Sequence, residues 1–264
     1  MGEEPMPSFT IPSKAIRKGN ENESDVIERE EFDRFNPGVL GLGDLKTESV
    51  ARSAISVFFD LQGFTVFCKQ IEPHLSVPIY LNAFLNWIFG CIKAETAEKQ
   101  NDLEVELWHD LPFFVKFMGD GLLVLWDTSS MDATAQHNLL NSCLNILIKY
   151  RREFLPGMKR KVVDPPPVLR CGIAKGTVFS VGNGEDYVGS CINMAARLQK
   201  LSNLTFAFAR RGFDPEAAWD EKELAQWTLK KVAIRGIGDS ELIYLRTKEF
   251  ETLSEQEQGL FGEP

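Results

Sequence analysis

The sequence predicts an α+β fold in which helices cover a mixed or antiparallel sheet, and three observations carry that expectation. The segment "AISVFFD" is a run of apolar, β-branched and aromatic residues that closes on an acid, Asp60, as a buried strand would. In "FFVKFMGDGLLVLWD" two short apolar runs flank Gly119-Asp120-Gly121, which reads as a hairpin with Asp-Gly turn chemistry. Nearer the C-terminus, "LTFAFAR", "WTLKKVAIRGIG" and "ELIYLRT" read as late strands.

Residues 1–47 form an N-terminal extension in this reading. They mix Pro, Ser and Gly with the charged run "RKGNENESDVIEREEFDRF", which buries little apolar surface and is expected to stay mobile or to make a solvated helix. A folded domain is expected over 48–248. It begins with the "AISVFFD" strand and continues into "SVPIYLNAFLNWIFGCIKAETAEKQ", whose periodicity predicts a helix with Pro78 in its first turn. After the hairpin, Asp132 to Phe154 has the pattern of an amphipathic helix and "VDPPP" is a stiff linker. The stretch "VLRCGIAKGTVFSVGNG" reads as strand, turn and second strand, and "GSCINMAARLQKLS" as a helix. Residues 249–264 are an acidic tail, expected to be peripheral. No internal repeat is visible.

At 264 residues and 44% apolar content the chain can bury one sizeable core. A net charge of −9 gives no general support for wrapping nucleic acid or lying on an anionic membrane, so neither is an expected partner, and the basic run "MKRK" reads as a solvated loop. Cys68, Cys91, Cys143, Cys171 and Cys191 are odd in number and never spaced C-x-x-C, which argues against a disulfide framework or zinc cluster and for reduced core thiols. His74, His109 and His137 have no acid or nucleophile at a suggestive spacing and are expected at ordinary surface or interface positions. Trp87, Trp108 and Trp126 are expected to pack the core or a dimer interface. With neither a secretory leader pattern nor an apolar run near the ~20 residues of a bilayer span, the expected location is the cytoplasm.

Asp60 has three readings: it caps the next element, attacks a substrate, or holds a metal. An aspartyl-nucleophile phosphatase of the haloacid-dehalogenase type needs a second acid two residues on, where Gln62 stands, and a later acid where Val124 stands. A two-metal site suits the residues better, because Asp60 and Asp120 each sit at a strand end and hard divalent cations take oxygen ligands. The loop Leu61 to Thr65 offers backbone N–H groups around Gly63 for phosphate oxygens, and no Walker sequence occurs. Asn193 and Arg197 are four apart on the expected helix and therefore share a face.

Taken in order, "FFDLQGFT", "KFMGDG", "LRCGIAKGTVFSVG" and "EDYVGSCINMAARLQ" resemble the successive signatures of class III nucleotidyl cyclases. The resemblance implies that Asp60 and Asp120, with the Leu61 carbonyl, bind two divalent cations, Mn²⁺ or Mg²⁺. It gives the Gln62-Gly63-Phe64-Thr65 backbone to the β- and γ-phosphates and adds Arg170 and Arg235 as phosphate ligands. Asn193 and Arg197 become the catalytic pair that orients the ribose and stabilises charge on the α-phosphate. Phe58, Lys116 and Asp186 are the base-contacting positions. The family's site lies between two subunits, so a head-to-tail homodimer follows.

For the base, Lys116 with Asp186 suits ATP, whereas an aromatic Phe59 before the metal aspartate would favour a smaller ring if it faces the pocket rather than the core. The short chain, the segment "LPFFVKFMGDGLLVLWD" and the insertion "NDLEVELWHD" look like the bacterial Pycsar antiphage cyclases, which make cyclic UMP or cyclic CMP for a separate effector protein. UTP is the favoured substrate in this reading. An adenylate cyclase making cyclic AMP, and a degenerate cyclase-like domain that only binds nucleotide or dimerises, are the alternatives.

Overall fold

The computed structural model describes residues 29–100 and 104–264. The expectation for residues 1–28 lies outside that range; residues Arg29–Arg34 form a short helix. The chain divides into a larger unit, residues 51–178 with 189–264, and a smaller one holding residues up to 50 with 179–188. The strands are β1 (Ala51–Gln62), β2 (Ala97–Gln100), β3 (Val105–Leu107), β4 (Phe114–Phe117), β5 (Gly121–Asp127), β6 (Val168–Val181), β7 (Asp186–Val188), β8 (Phe206–Ala209), β9 (Trp227–Ile234), β10 (Gly238–Arg246) and β11 (Phe261–Gly262). The main sheet runs β11-β9-β10-β8-β6-β1-β5-β4, and β2 with β3 makes a separate ribbon. Because β6 and β8 are parallel while β1–β5, β4–β5 and β9–β10 are antiparallel, the sheet is mixed.

Strand alternation sorts the side chains of β1. Ile55, Val57, Phe59 and Leu61 are all at most 1% exposed and join Leu122, Val124 and Trp126 of β5 in the core. Helices Pro73–Thr96 and Ala133–Lys149 cover this face with Tyr80, Phe84, Ile88, Leu139, Cys143 and Ile146, each burial contributing roughly 1.5–3 kcal/mol for the large side chains. The ring of Phe59 therefore belongs to the core. On the opposite face lie Ser56, Phe58 and Asp60, with the helix Ser190–Leu198 against them; the Ser56 hydroxyl donates to Cys191 Sγ at 3.2 Å. Gly172 on β6 permits the close approach, since a Cβ there would stand 2.2 Å from the Ala195 carbonyl oxygen.

Several sequence expectations need correction. The first long helix begins at Pro73, so Pro78 lies in its interior. The carbonyl that Pro78 leaves without an N–H partner is that of His74, an exposed residue within reach of water. By length and composition this helix could cross a bilayer, but here its Tyr80, Phe84 and Ile88 pack the sheet. The region 168–181 is one continuous strand. Gly176 serves close packing instead of a turn, a Cβ there meeting Cys191 Cβ at 3.1 Å, and the turn falls at Gly182–Gly184, where Asn183 has φ 54°. The second long helix ends at Lys149 and widens into a π turn, Tyr150–Phe154.

The acidic tail docks on the edge of the sheet. Phe261 pairs with Val232, its ring packs on Phe250 at 5.6 Å, and Lys230 Nζ lies 2.6 Å from Glu263. His109 is buried, 5% exposed, bonded to Ser142 Oγ at 3.2 Å and to the Asp110 carbonyl at 3.0 Å, and burial pushes its pKa down. Trp126 is a core residue, while Trp108 is half-exposed.

Candidate functional site

The site forms where β1 ends. Asp60 stands opposite Gly121 in the β1–β5 register, and the Leu61 N–H donates to the Asp120 carbonyl at 2.9 Å, so two strand ends converge. The β4–β5 turn is built for this meeting. Met118 N–H donates to Gly121 O at 2.8 Å, which makes Gly119-Asp120 the two central residues, a Gly-Asp turn and not the Asp-Gly turn expected from the sequence. Gly119 takes φ +91°, as the first central position of a type II′ hairpin requires. At Gly121 a Cβ would lie 2.1 Å from the Phe59 carbonyl oxygen, so only glycine admits β1 at this distance.

Electrostatics tie the two acids together. Asp60 is 7% exposed, and its carboxyl is pushed up first by burial and then by the charge of Asp120, while Lys200 and Arg170 pull it back. Among the described residues no hydrogen bond or ion pair holds the Asp60 carboxylate. Arg170, equally buried on β6, donates from Nε to Gln62 Oε1 at 3.1 Å. Burial lowers its pKa and the charge of Asp60 raises it, so the guanidinium lies within electrostatic reach of that acid.

The loop after β1 turns on Gly63, φ +88°, which caps the short helix Phe64–Phe67. The Val66 and Phe67 N–H groups both donate to Gly63 O at 3.0 Å. Those of Phe64 and Thr65 belong to the first turn, where a helix supplies no acceptor. Phe64 packs on Phe67 and Tyr80, and Thr65 faces solvent. No group of three or more His, Cys, Asp or Glu side chains suited to a metal occurs among the described residues. A cation at Asp60 and Asp120 would therefore draw further oxygens from the backbone or from a ligand.

Asn193 and Arg197 lie exposed on the Ser190–Leu198 helix, and Arg235 is exposed in the β9–β10 turn. Neither arginine is among the charges that act on Asp60. Phe58, 9% exposed, lies on the Asp60 face of β1, and Lys116 is half-buried on β4. Asp186 belongs to the smaller unit, at the start of β7, where its carboxylate accepts from the Tyr187 N–H at 2.8 Å. Sequence reasoning missed Lys200, whose charge reaches Asp60. Lys200 lies past the end of the Ser190–Leu198 helix, in the turn that follows, so helical spacing alone does not point to it.

No protein-family model matches the sequence, and no curated protein matches it. Solved structures do. The guanylyl cyclase Cya2 superposes over 76% of this chain and 94% of its own, with TM-score 0.56 and 18% identity. The adenylyl cyclase CyaB from P. aeruginosa covers 76% and 96%, with TM-score 0.52 and 16% identity. The catalytic core of a rhodopsin-guanylyl cyclase with converted specificity, in complex with ATPαS, covers 76% and 98%, with TM-score 0.51 and 17% identity. At such identities the likeness speaks for the fold, and the fold of this chain is the α+β fold of the guanylyl and adenylyl cyclase domains.

Proposed function

We propose that this chain is a nucleotidyl cyclase that converts a nucleoside triphosphate, UTP in the favoured reading, to its 3′,5′-cyclic monophosphate and pyrophosphate. One observation carries the reading: two acids stand where separate strand ends converge, the buried Asp60 has no hydrogen-bond or ion-pair partner among the described residues, and the charge of Asp120 pushes its pKa up. Such a pair is costly unless a cation joins it. Asp60, Asp120 and the Leu61 carbonyl fit two divalent cations, Mn²⁺ or Mg²⁺, with the triphosphate completing the coordination. Bound there, the ions would lower the pKa of the ribose 3′-hydroxyl and neutralise charge on the triphosphate.

The chain's own groups then position the reactants. Gly63, Phe64 and Thr65 offer backbone N–H groups to the β- and γ-phosphates, and Arg170, already held by Gln62, presents a forked cation to the same oxygens. Asn193 and Arg197, exposed on the Ser190–Leu198 helix, would serve the site of a second copy, orienting the ribose and stabilising charge at the α-phosphorus as the 3′-oxygen attacks and pyrophosphate leaves. Arg235 is assigned to the terminal phosphate, and Phe58, Lys116 and Asp186 to the base. The choice of UTP, the antiphage role and the separate effector that would receive the product rest on the sequence resemblance. The core position of Phe59 removes the one steric argument for a small base, which leaves ATP as the second reading.

The test is direct. Purified protein with Mn²⁺ is incubated separately with ATP, GTP, CTP and UTP, and cyclic monophosphate and pyrophosphate are measured. UTP turnover is expected; conversion of ATP alone would replace the uridylate reading with the adenylate one, and no cyclic product from any of the four would overturn the enzyme.

A further inference from the structure

We propose that a second pocket, on the helix side of the sheet, binds an amphipathic anion, an apolar body ending in a carboxylate or phosphate, and transmits its occupancy to the Gly63 loop. The pocket has a volume of about 280 Å³ and lies between the Ala133–Lys149 helix, its π turn, and the first residues of β6 and β8. Its walls are apolar, with Leu144, Leu147, Ile148, Val168 and Leu169 among them. Arg151 and Arg152 also line it; both are exposed, and neither has an ion pair or hydrogen bond among the described residues. The acid in the lining, Glu249, is bonded to Thr205 in the same wall, accepting from the Thr205 N–H at 2.9 Å and from the Thr205 hydroxyl.

Chemistry follows from that division. Apolar walls favour a hydrocarbon or aromatic body, and two adjacent guanidinium groups without counter-ions favour an oxyanion at its end. The arginines sit on a π turn, a rare irregularity that recurs at functional sites.

The wall is also connected to the loop assigned to phosphate binding. Tyr150, which lines the pocket, meets the Tyr80 hydroxyl at 2.7 Å and donates to the Pro166 carbonyl at 2.5 Å. The next residue, Pro167, lines the pocket too, and its Cδ lies 3.2 Å from the place a Cβ on Gly63 would take. A ligand that shifts Tyr150 or Pro167 would therefore bear on the Gly63 loop. The binding claim does not depend on the cyclase reading, and its readouts need no turnover.

Isothermal titration of the full chain with decanoate, decyl phosphate and decanol tests the site. At least one anion should bind roughly ten-fold or more tightly than decanol, the scale of one charge-assisted hydrogen bond, and the tighter anion names the head group. Arg151→Ala and Arg152→Ala should each weaken that anion by a similar factor while leaving decanol unchanged. Ile148→Trp, at a position 40% exposed and so tolerant of a larger side chain, should abolish binding of all three. Hydrogen exchange of the Phe64–Phe67 amides should slow when the anion is added. Failure of both anions to bind, parity with decanol, or arginine variants that bind as the wild type does would overturn the site; unchanged exchange with bound anion would overturn the coupling.

Discussion

Asp60 is placed where an isolated carboxylate is least comfortable. It is 7% exposed, it faces a second acid, and the neighbouring cations only partly offset that cost. Replacing it by Asn should therefore do two opposite things. Turnover should fall by roughly 10²–10³-fold or more, the scale of a lost transition-state charge contact. Without added metal the thermal midpoint should rise, by roughly 2–4 °C for each kcal/mol of relieved repulsion. Millimolar Mn²⁺ should raise the midpoint of the wild type and not that of Asp60→Asn, as scanning calorimetry of both would report. A variant that keeps its activity would remove the two-metal assignment. Asp120→Asn should lose activity in the same way, but the gain in stability should be smaller, because Asp120 is less buried.

Between residues and the fold, glycines decide how elements meet. At Gly63 the φ of +88° and the nearby Pro167 ring both oppose a side chain, so Gly63→Ala should cost about 1–2 kcal/mol in denaturant unfolding and weaken triphosphate binding. Gly172→Ala acts on packing instead. Its methyl would enter the backbone of the Ser190–Leu198 helix, 2.2 Å from Ala195 O and 2.5 Å from Gln199 N, and a loss of about 3 kcal/mol is expected as the helix is pushed from the sheet. The buried His109 joins the segment after β3 to the second long helix through Ser142. Its folded pKa lies below the ordinary 6.5, so its contribution to stability is present above pH 6.5 and is lost as pH falls through the folded value. His109→Gln should flatten that acid limb in urea titrations between pH 7 and 5; an unchanged slope would show that His109 is not buried as a neutral ring.

For the whole molecule, the decisive question is whether one copy can complete its own site. Asn193 and Arg197 lie exposed on the Ser190–Leu198 helix and Arg197 is not among the charges acting on Asp60, whereas Asp120 and Arg170 are. A mixture of Asp60→Ala and Arg197→Ala chains, each inactive alone, should regain roughly a quarter of wild-type activity, since half of randomly reassorted dimers are mixed and each then holds one intact site. No recovery after refolding the two together would place both sets in one chain. The sequence alone determined the strand-end acids, the helix bearing Asn193 and Arg197, and the α+β class, because alternation and helical period are local properties. Tertiary structure decided what depends on approach between distant segments: that Phe59 turns into the core, that 168–181 stays one strand with Gly176 packed against Cys191, that the acidic tail docks on β9, and that the charge of Lys200 acts on Asp60. Burial and backbone contact arise only when separate elements meet, and no stretch of neighbouring residues encodes that meeting by itself.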